Sequence, residues 1–128
     1  MDPRTSLGLK RLKEADAALL ALGFKPKGHS PIPALCLLAY AGIGPATPWS
    51  DAGSPLLTVT QAMEFARREY AYEYAANTRE TFRHGAIRPF VALRLLVANP
   101  DAPNRPRQSP NNRYQLQPDA LALLQLLP

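Results

Sequence analysis

The sequence is poor in the residue types that most catalytic and metal-binding proteins depend on. Cys36 is its only cysteine, so no disulfide can form within the chain. That suits a reducing compartment, and a cytoplasmic protein is expected. Cys36 lies in the apolar run Leu35-Cys36-Leu37-Leu38, where a small buried thiol is the expected role. Two histidines, His29 and His84, share no metal-ligand spacing with it, which argues against a zinc site. No apolar run approaches the roughly 18 residues of a membrane span. No apolar stretch follows Met1-Asp2-Pro3-Arg4, so neither a signal peptide nor a membrane partner is expected. No lysine follows Lys27, and after Glu80 the acidic residues are Asp101 and Asp119 alone. Metal-dependent hydrolysis needs clustered carboxylates and a cation that helps activate water. With neither that set nor a Ser-His-Asp motif, we expect no catalytic residue, no metal ligand and no cofactor in this chain.

What is present is a well-patterned apolar chain with concentrated positive charge. Its 128 residues are 46 % hydrophobic, enough for one domain with one core. Fourteen prolines, about twice the usual share of roughly 5 %, fall outside the periodic segments and mark loops. The net charge is +5. Residues 77 to 113 hold seven arginines against Glu80 and Asp101, which is itself a net +5. Arginine suits bidentate contact with phosphates and guanine edges. Charge concentrated in this way implies a polyanionic partner.

Taken in order, residues 7 to 22 read as an amphipathic helix with Leu9, Leu12, Ala15, Leu19 and Leu22 near helical spacing, stopped by Gly23. Residues 25 to 33 are a Pro-rich linker. Residues 33 to 40 form a short apolar helix expected at the centre of the core. A loop with Trp49 follows, then a brief strand over residues 56 to 59. Thr58 or Thr60 can cap a helix over residues 61 to 72. After a tight connection a second helix starts at Asn77. Residues 95 to 99 and 113 to 117 read as two strands of a hairpin with a long tip, and Pro118 opens a final short helix. This is the order of a winged helix-turn-helix: mainly α with a small β-hairpin, an extra N-terminal helix and a short C-terminal helix. The expected organisation is a single domain over 1–128, with 1–30 the first helix and linker, 31–117 the winged-helix core and 118–128 the last helix. No nuclease domain is expected within it.

The stretch Asn77-Thr78-Arg79-Glu80-Thr81-Phe82-Arg83 is the centre of the functional reading. Asn77 can cap the helix, with Glu80 reaching back to its amide as in a capping box. Arg79 and Arg83 lie one turn apart, and the N-terminal end of such a helix can enter a DNA major groove. Further candidates for DNA contact are Asn77, Thr78, Thr81, His84 and Arg88. Arg105, Arg107 and Arg113, in or beside the long loop, would form a basic wing that grips phosphates. Arg94 is weighed with Arg88, because both depend on the helix geometry near Gly85 and Pro89. A proline there removes a hydrogen bond and crowds the carbonyl of Gly85, so a kink between His84 and Phe90 is expected, with Gly85 relieving the strain. Phe82, Ile87, Phe90, Val91 and Leu95 would form the buried side. Tyr70, Tyr72 and Tyr74 are read as packing around the turn.

The run from Asn77 to Arg83 combines with Phe90-Val91, Asn99-Pro100-Asp101, Pro103, Arg105-Pro106, Ser109-Pro110 and Tyr114-Gln115. Together these resemble the N-terminal helix-turn-helix domain of the BsuBI/PstI restriction endonuclease family. Ala21-Leu22-Gly23, Ala34-Leu35 and Thr47-Pro48-Trp49-Ser50 also look like that domain, so the resemblance runs from about Leu7 to Leu116. It implies a double-stranded DNA partner and cleavage at palindromes of the CTGCAG type. It places Mg²⁺ and catalysis in a separate PD-(D/E)xK nuclease domain or subunit. At His84-Gly85-Ala86 and Arg88-Pro89 the chain departs from the family's polar, helix-compatible pattern. The expected function is therefore a DNA-specificity domain. The rival readings are a transcription regulator of a restriction-modification locus, acting as a homodimer, and a winged-helix module that binds protein.

Overall fold

The structure, a computed structural model, describes residues 3–128, with side chains from residue 6 onward. Helix α1 spans Pro3–Ala21. Gly23, at φ +98°, ends it, and the Phe24 amide donates back to the Leu19 carbonyl at 2.9 Å. The linker leads to α2, Ile32–Ala41, in which every residue except Pro33 is buried. A helix this apolar has no solvent face, so other elements must cover it on all sides. Helix α1 packs on one side, α3 (Val59–Tyr70) on another, and the sheet and the next helical segment close the rest.

Strand β1 is Leu57–Thr58, β2 is Leu96–Ala98 and β3 is Arg113–Leu116. The expected hairpin forms, and β1 joins it, giving an antiparallel sheet in the order β1-β3-β2. Leu96 faces Leu116 and Leu57 faces Tyr114 in the register. The buried Tyr40 hydroxyl of α2 donates to the Leu57 carbonyl at 3.3 Å, tying the sheet to the central helix. Helix α6, Pro118–Gln125, seals the core with Ala120 and Leu124.

The loop between α2 and β1 is held by Trp49, which is 2 % exposed. Its Nε1 donates to Glu14 Oε1 at 3.2 Å, and the same oxygen accepts from Arg11 at 2.5 Å. Burial pushes the Glu14 carboxyl up, but the hydrogen bonds from Arg11 and Trp49 and the charges of Arg11 and Lys10 outweigh it and hold the group below its ordinary range. Cys36 is fully buried and burial pushes its thiol up, so it is an inert packing residue.

Three boundaries differ from the sequence reading. The capping box forms at α3: Gln61 N donates to Thr58 Oγ1 at 3.2 Å and Thr58 N donates to Gln61 Oε1 at 2.9 Å. It does not form at Asn77, whose side chain makes no capping bond. There the Glu80 carboxylate is taken by His84 and Arg83 instead, at 2.8 and 3.5 Å. The second is that the segment where the kink is expected contains a π-turn. Helix α4, Thr78–Phe82, runs through a π-turn, Arg83–Ile87, into α5, Arg88–Ala92. The Arg88 amide donates to the Arg83 carbonyl, five residues back. A π-turn is a wide turn, and it makes room for Pro89 one residue further on. It also carries the apolar face across: Phe82 and Ile87, five apart, are both buried, and Ala86 joins them. Third, Gly85 does not supply unusual backbone freedom. Its φ is not positive, and an added Cβ would meet only Thr81 Cγ2 at an ordinary 3.8 Å.

Gly85→Ala should therefore stabilise the protein, by about 0.5–1 kcal/mol, because alanine loses less backbone entropy in a helix. Urea denaturation checks this. A loss of stability would mean that the turn needs the glycine.

Candidate nucleic-acid interface

Residues 78–92 form one helical unit whose inner face is fixed by Thr78, Phe82, Ala86, Ile87 and Phe90, all buried. The outer stripe, comprising Asn77, Glu80, Thr81, His84, Gly85, Arg88 and Ala92, is exposed. The unit packs on α2 and α3, and α3 with the following turn presents it. That turn is built with care. Ala71 takes a left-handed conformation at φ +54°, and the hydroxyls of Tyr70 and Tyr74 donate to the carbonyls of Ile43 and Met63. The tyrosines therefore pack and brace the turn.

The predicted contact residues fall into different situations. Thr78 is 4 % exposed, and its hydroxyl accepts from the Ala75 amide at 2.8 Å, so it closes the turn. Arg79 donates to the Thr60 hydroxyl at the start of α3 and braces the two helices. Arg83 is half-buried beside Glu80. Thr81, His84 and Arg88 stand on the outer stripe, and among the described residues Arg88 has no ion-pair partner. Arg94 ends the unit in a left-handed conformation at φ +63°, with the Leu95 amide donating to the Phe90 carbonyl at 2.8 Å.

The long loop between β2 and β3 is a built structure. Asn99 sits at φ +51° and is 9 % exposed. Its Oδ1 accepts from Arg105 at 2.7 Å and from the Arg113 amide at 2.8 Å, and its Nδ2 donates to Asn112 at 2.9 Å. Arg105 also holds Asp101 through both terminal nitrogens, the closer at 2.9 Å. Those Arg105 hydrogen bonds, with the Arg105 and Arg113 charges, keep the Asp101 carboxyl below its usual range despite desolvation. Asn112 Nδ2 reaches across to the Arg107 carbonyl at 2.8 Å. The network uses Arg105 as an internal staple. It leaves Arg113 partly engaged, 3.5 Å from Asp101, and Arg107 exposed on the loop with no ion-pair partner among the described residues. The sequence reading missed Asn99 and Asn112 as organisers. The signal was present in the density of asparagines around a Pro-rich loop, because asparagine tolerates left-handed backbone and bonds nearby backbone groups.

A helix, a braced turn, an exposed second helix and a hairpin with an ordered wing define a winged helix-turn-helix protein. The model of the BsuBI/PstI restriction endonuclease HTH domain matches residues 9–127, and the chain belongs to that family. It is 44 % identical over 114 residues to the type II restriction enzyme BsuBI of Bacillus subtilis, covering 88 % of this chain and 36 % of that one. Its fold superposes on the structure of the SdaI restriction endonuclease with a TM-score of 0.83 at 33 % identity, again over 89 % of this chain and 36 % of the other. The chain thus spans about a third of the length of these relatives. No helix among the described residues is long and apolar enough to cross a membrane.

Asn99→Ala should cost about 2–3 kcal/mol in urea denaturation, from lost hydrogen bonds and from a left-handed alanine. Asn99→Gly removes the same bonds but not the backbone preference, and should recover about 1 kcal/mol of that loss. Equal losses in the two variants would show that backbone conformation is not what selects Asn99.

Proposed function

We propose that this chain is the double-stranded-DNA-binding specificity part of a type II restriction endonuclease. The observation that carries the reading is the outer stripe of residues 78–92, left uncovered while the inner face is locked by fully buried Phe82 and Phe90. A helix held that firmly and displayed that openly, beside a basic wing, fits a major groove. In this reading Thr81, His84 and Arg88 approach base edges, with Asn77 and Arg83 at the margin. Arg107 and Arg113 grip phosphates from the wing, where Arg105 shapes the loop. Cleavage and its Mg²⁺ are assigned to a PD-(D/E)xK domain or subunit outside these residues. A palindrome of the CTGCAG type carries two identical half-sites, so two copies of the chain per duplex are expected.

Fluorescence anisotropy with a CTGCAG duplex and a scrambled duplex, over a range of salt, tests the reading. Three to five phosphate contacts give a log-log salt slope of about −3 to −5. Arg107→Ala should weaken binding to both duplexes alike and make the slope less negative by about 0.9. Arg88→Ala should cost about 1–3 kcal/mol on CTGCAG and less on the scrambled duplex, as loss of a base contact does. Salt-dependent binding with no sequence preference would keep DNA as the partner and remove the specificity role. Absence of binding at low salt would leave the protein-interaction module as the better reading.

A further inference from the structure

The charge map of the sequence places the entire cationic surplus in residues 77 to 113, and so passes over Lys25 and Lys27. The folded chain brings them to the same face. The linker between α1 and α2 lies alongside the helical unit 78–92, and the two enclose an open cleft of about 410 Å³. Lys25, Lys27 and Ser30 line it from the linker; Thr81, His84 and Gly85 line it from the outer stripe. No aspartate or glutamate lines the cleft. Among the described residues neither lysine has an ion-pair partner.

The linker is fastened to the helix it flanks. Phe24, 6 % exposed, meets Phe90 of α5 edge-to-face, with ring centroids 5.3 Å apart and planes at 84°. Its amide is bonded back to α1, as described above. At the far end Ile32 is buried, and its amide donates to Ser30 Oγ at 3.2 Å. Between these anchors Gly28, at φ +100°, turns the chain. Lys25 and Lys27 therefore sit on a segment pinned at both ends beside the helix.

An α-helix with its side chains is about 10–12 Å across, and the B-DNA major groove is about 12 Å wide. A helix in that groove fills it, so a segment running along its flank meets the phosphates of the groove wall. We propose that the α1–α2 linker is a second phosphate-binding element, with Lys25 and Lys27 contacting the DNA backbone beside the helix 78–92. This inference rests on the DNA-binding reading and adds to it a contact surface outside the helix-turn-helix and the wing. The wing and the linker would then each supply cations to the backbone, while the stripe reads the groove. Phosphate contacts of this kind position a protein without distinguishing sequences.

The test is the salt dependence of binding to the CTGCAG and scrambled duplexes by the intact chain and by the double variant Lys25→Gln/Lys27→Gln. The control is Lys10→Gln/Lys13→Gln. It removes the same charge from α1, at least two helical turns before that helix ends. The linker variant should make the log-log slope less negative by about 1.8, twice the 0.9 of a single phosphate contact, and leave the ratio between the two duplexes unchanged. The control should leave the slope as it is. If the intact chain binds steeply and the linker variant keeps the same slope, the linker proposal fails and the DNA reading stands. Equal changes in both variants would reduce the effect to net charge and also overturn it. If the intact chain shows no salt-sensitive binding, the DNA reading itself fails, and the linker proposal with it.

Discussion

A ten-residue helix that is apolar on nearly every side can persist in water only if something covers every side, and this fold is the answer to that demand. Helix α2 has Ala34, Cys36, Leu38, Ala39, Tyr40 and Ala41 with no more than 1 % exposure around its whole circumference. At roughly 25 cal/mol per Å² of apolar surface removed from water, the drive to surround it exceeds any local preference of the elements that do so. The N-terminal helix, α3, the sheet and the helical unit 78–92 each take one side. Because they share one buried neighbour, they are placed relative to one another without a large interface between any two. The presented stripe, the wing and the linker thus derive their relative positions from a helix that is itself buried on nearly every side.

The π-turn follows from the same demand. Helix α4 must deliver Phe82 to α2, and α5 must deliver Phe90 to Phe24 and the core, yet Pro89 lies between them. Inserting one residue into a single wide turn keeps both rings buried and absorbs the missing amide. The consequence reaches the surface, because residues after Ile87 are rotated relative to an uninterrupted helix. With that rotation included, Arg88 and Ala92 are exposed together with Asn77, Thr81 and His84. A packing requirement on the inside therefore sets which side chains the outside displays.

Much of this was legible in the residues. The Leu, Ala and Phe spacing located the helices, Gly23 the first stop, and the alternation of Arg113 to Leu116 the last strand. The Asn77 run, with the Asn-Pro-Asp and Ser-Pro turns, pointed to the family that the comparison with its domain model shows. What escaped was the choice between competing local partners, and whatever depended on a residue distant in sequence. The capping box expected at Asn77 and Glu80 does not form, because His84 and Arg83, a turn further on, take Glu80, whereas Thr58 caps its helix with Gln61 completing a box. The role of Gly85 was misjudged because a glycine beside a proline suggests backbone freedom, whereas a wide turn solves the problem with ordinary dihedrals. Local charge counting could not see Lys25 and Lys27 beside the helix, because their position is fixed by the contact between Phe24 and Phe90, 66 residues apart.

The arginines show why composition alone overstates a binding face. Seven of them crowd residues 77 to 113, but the fold spends several on itself. Arg79 braces α4 against α3, Arg105 staples the wing through Asn99 and Asp101, and Arg83 is drawn toward Glu80. An arginine committed to a carboxylate has its fork filled, and it must give up charge-assisted hydrogen bonds before it can accept a phosphate. Among the described residues of that stretch, the arginines at no such disadvantage are Arg88 on the stripe, Arg94 at the end of the helical unit and Arg107 on the wing, while the two linker lysines line the cleft beside the stripe. These arginines are fewer than the sequence suggests. The engaged arginines matter by holding the free ones in place: a wing without its Asp101–Arg105–Asn99 network would carry the same charge on a loop of many shapes, and each contact would then cost the entropy of ordering it.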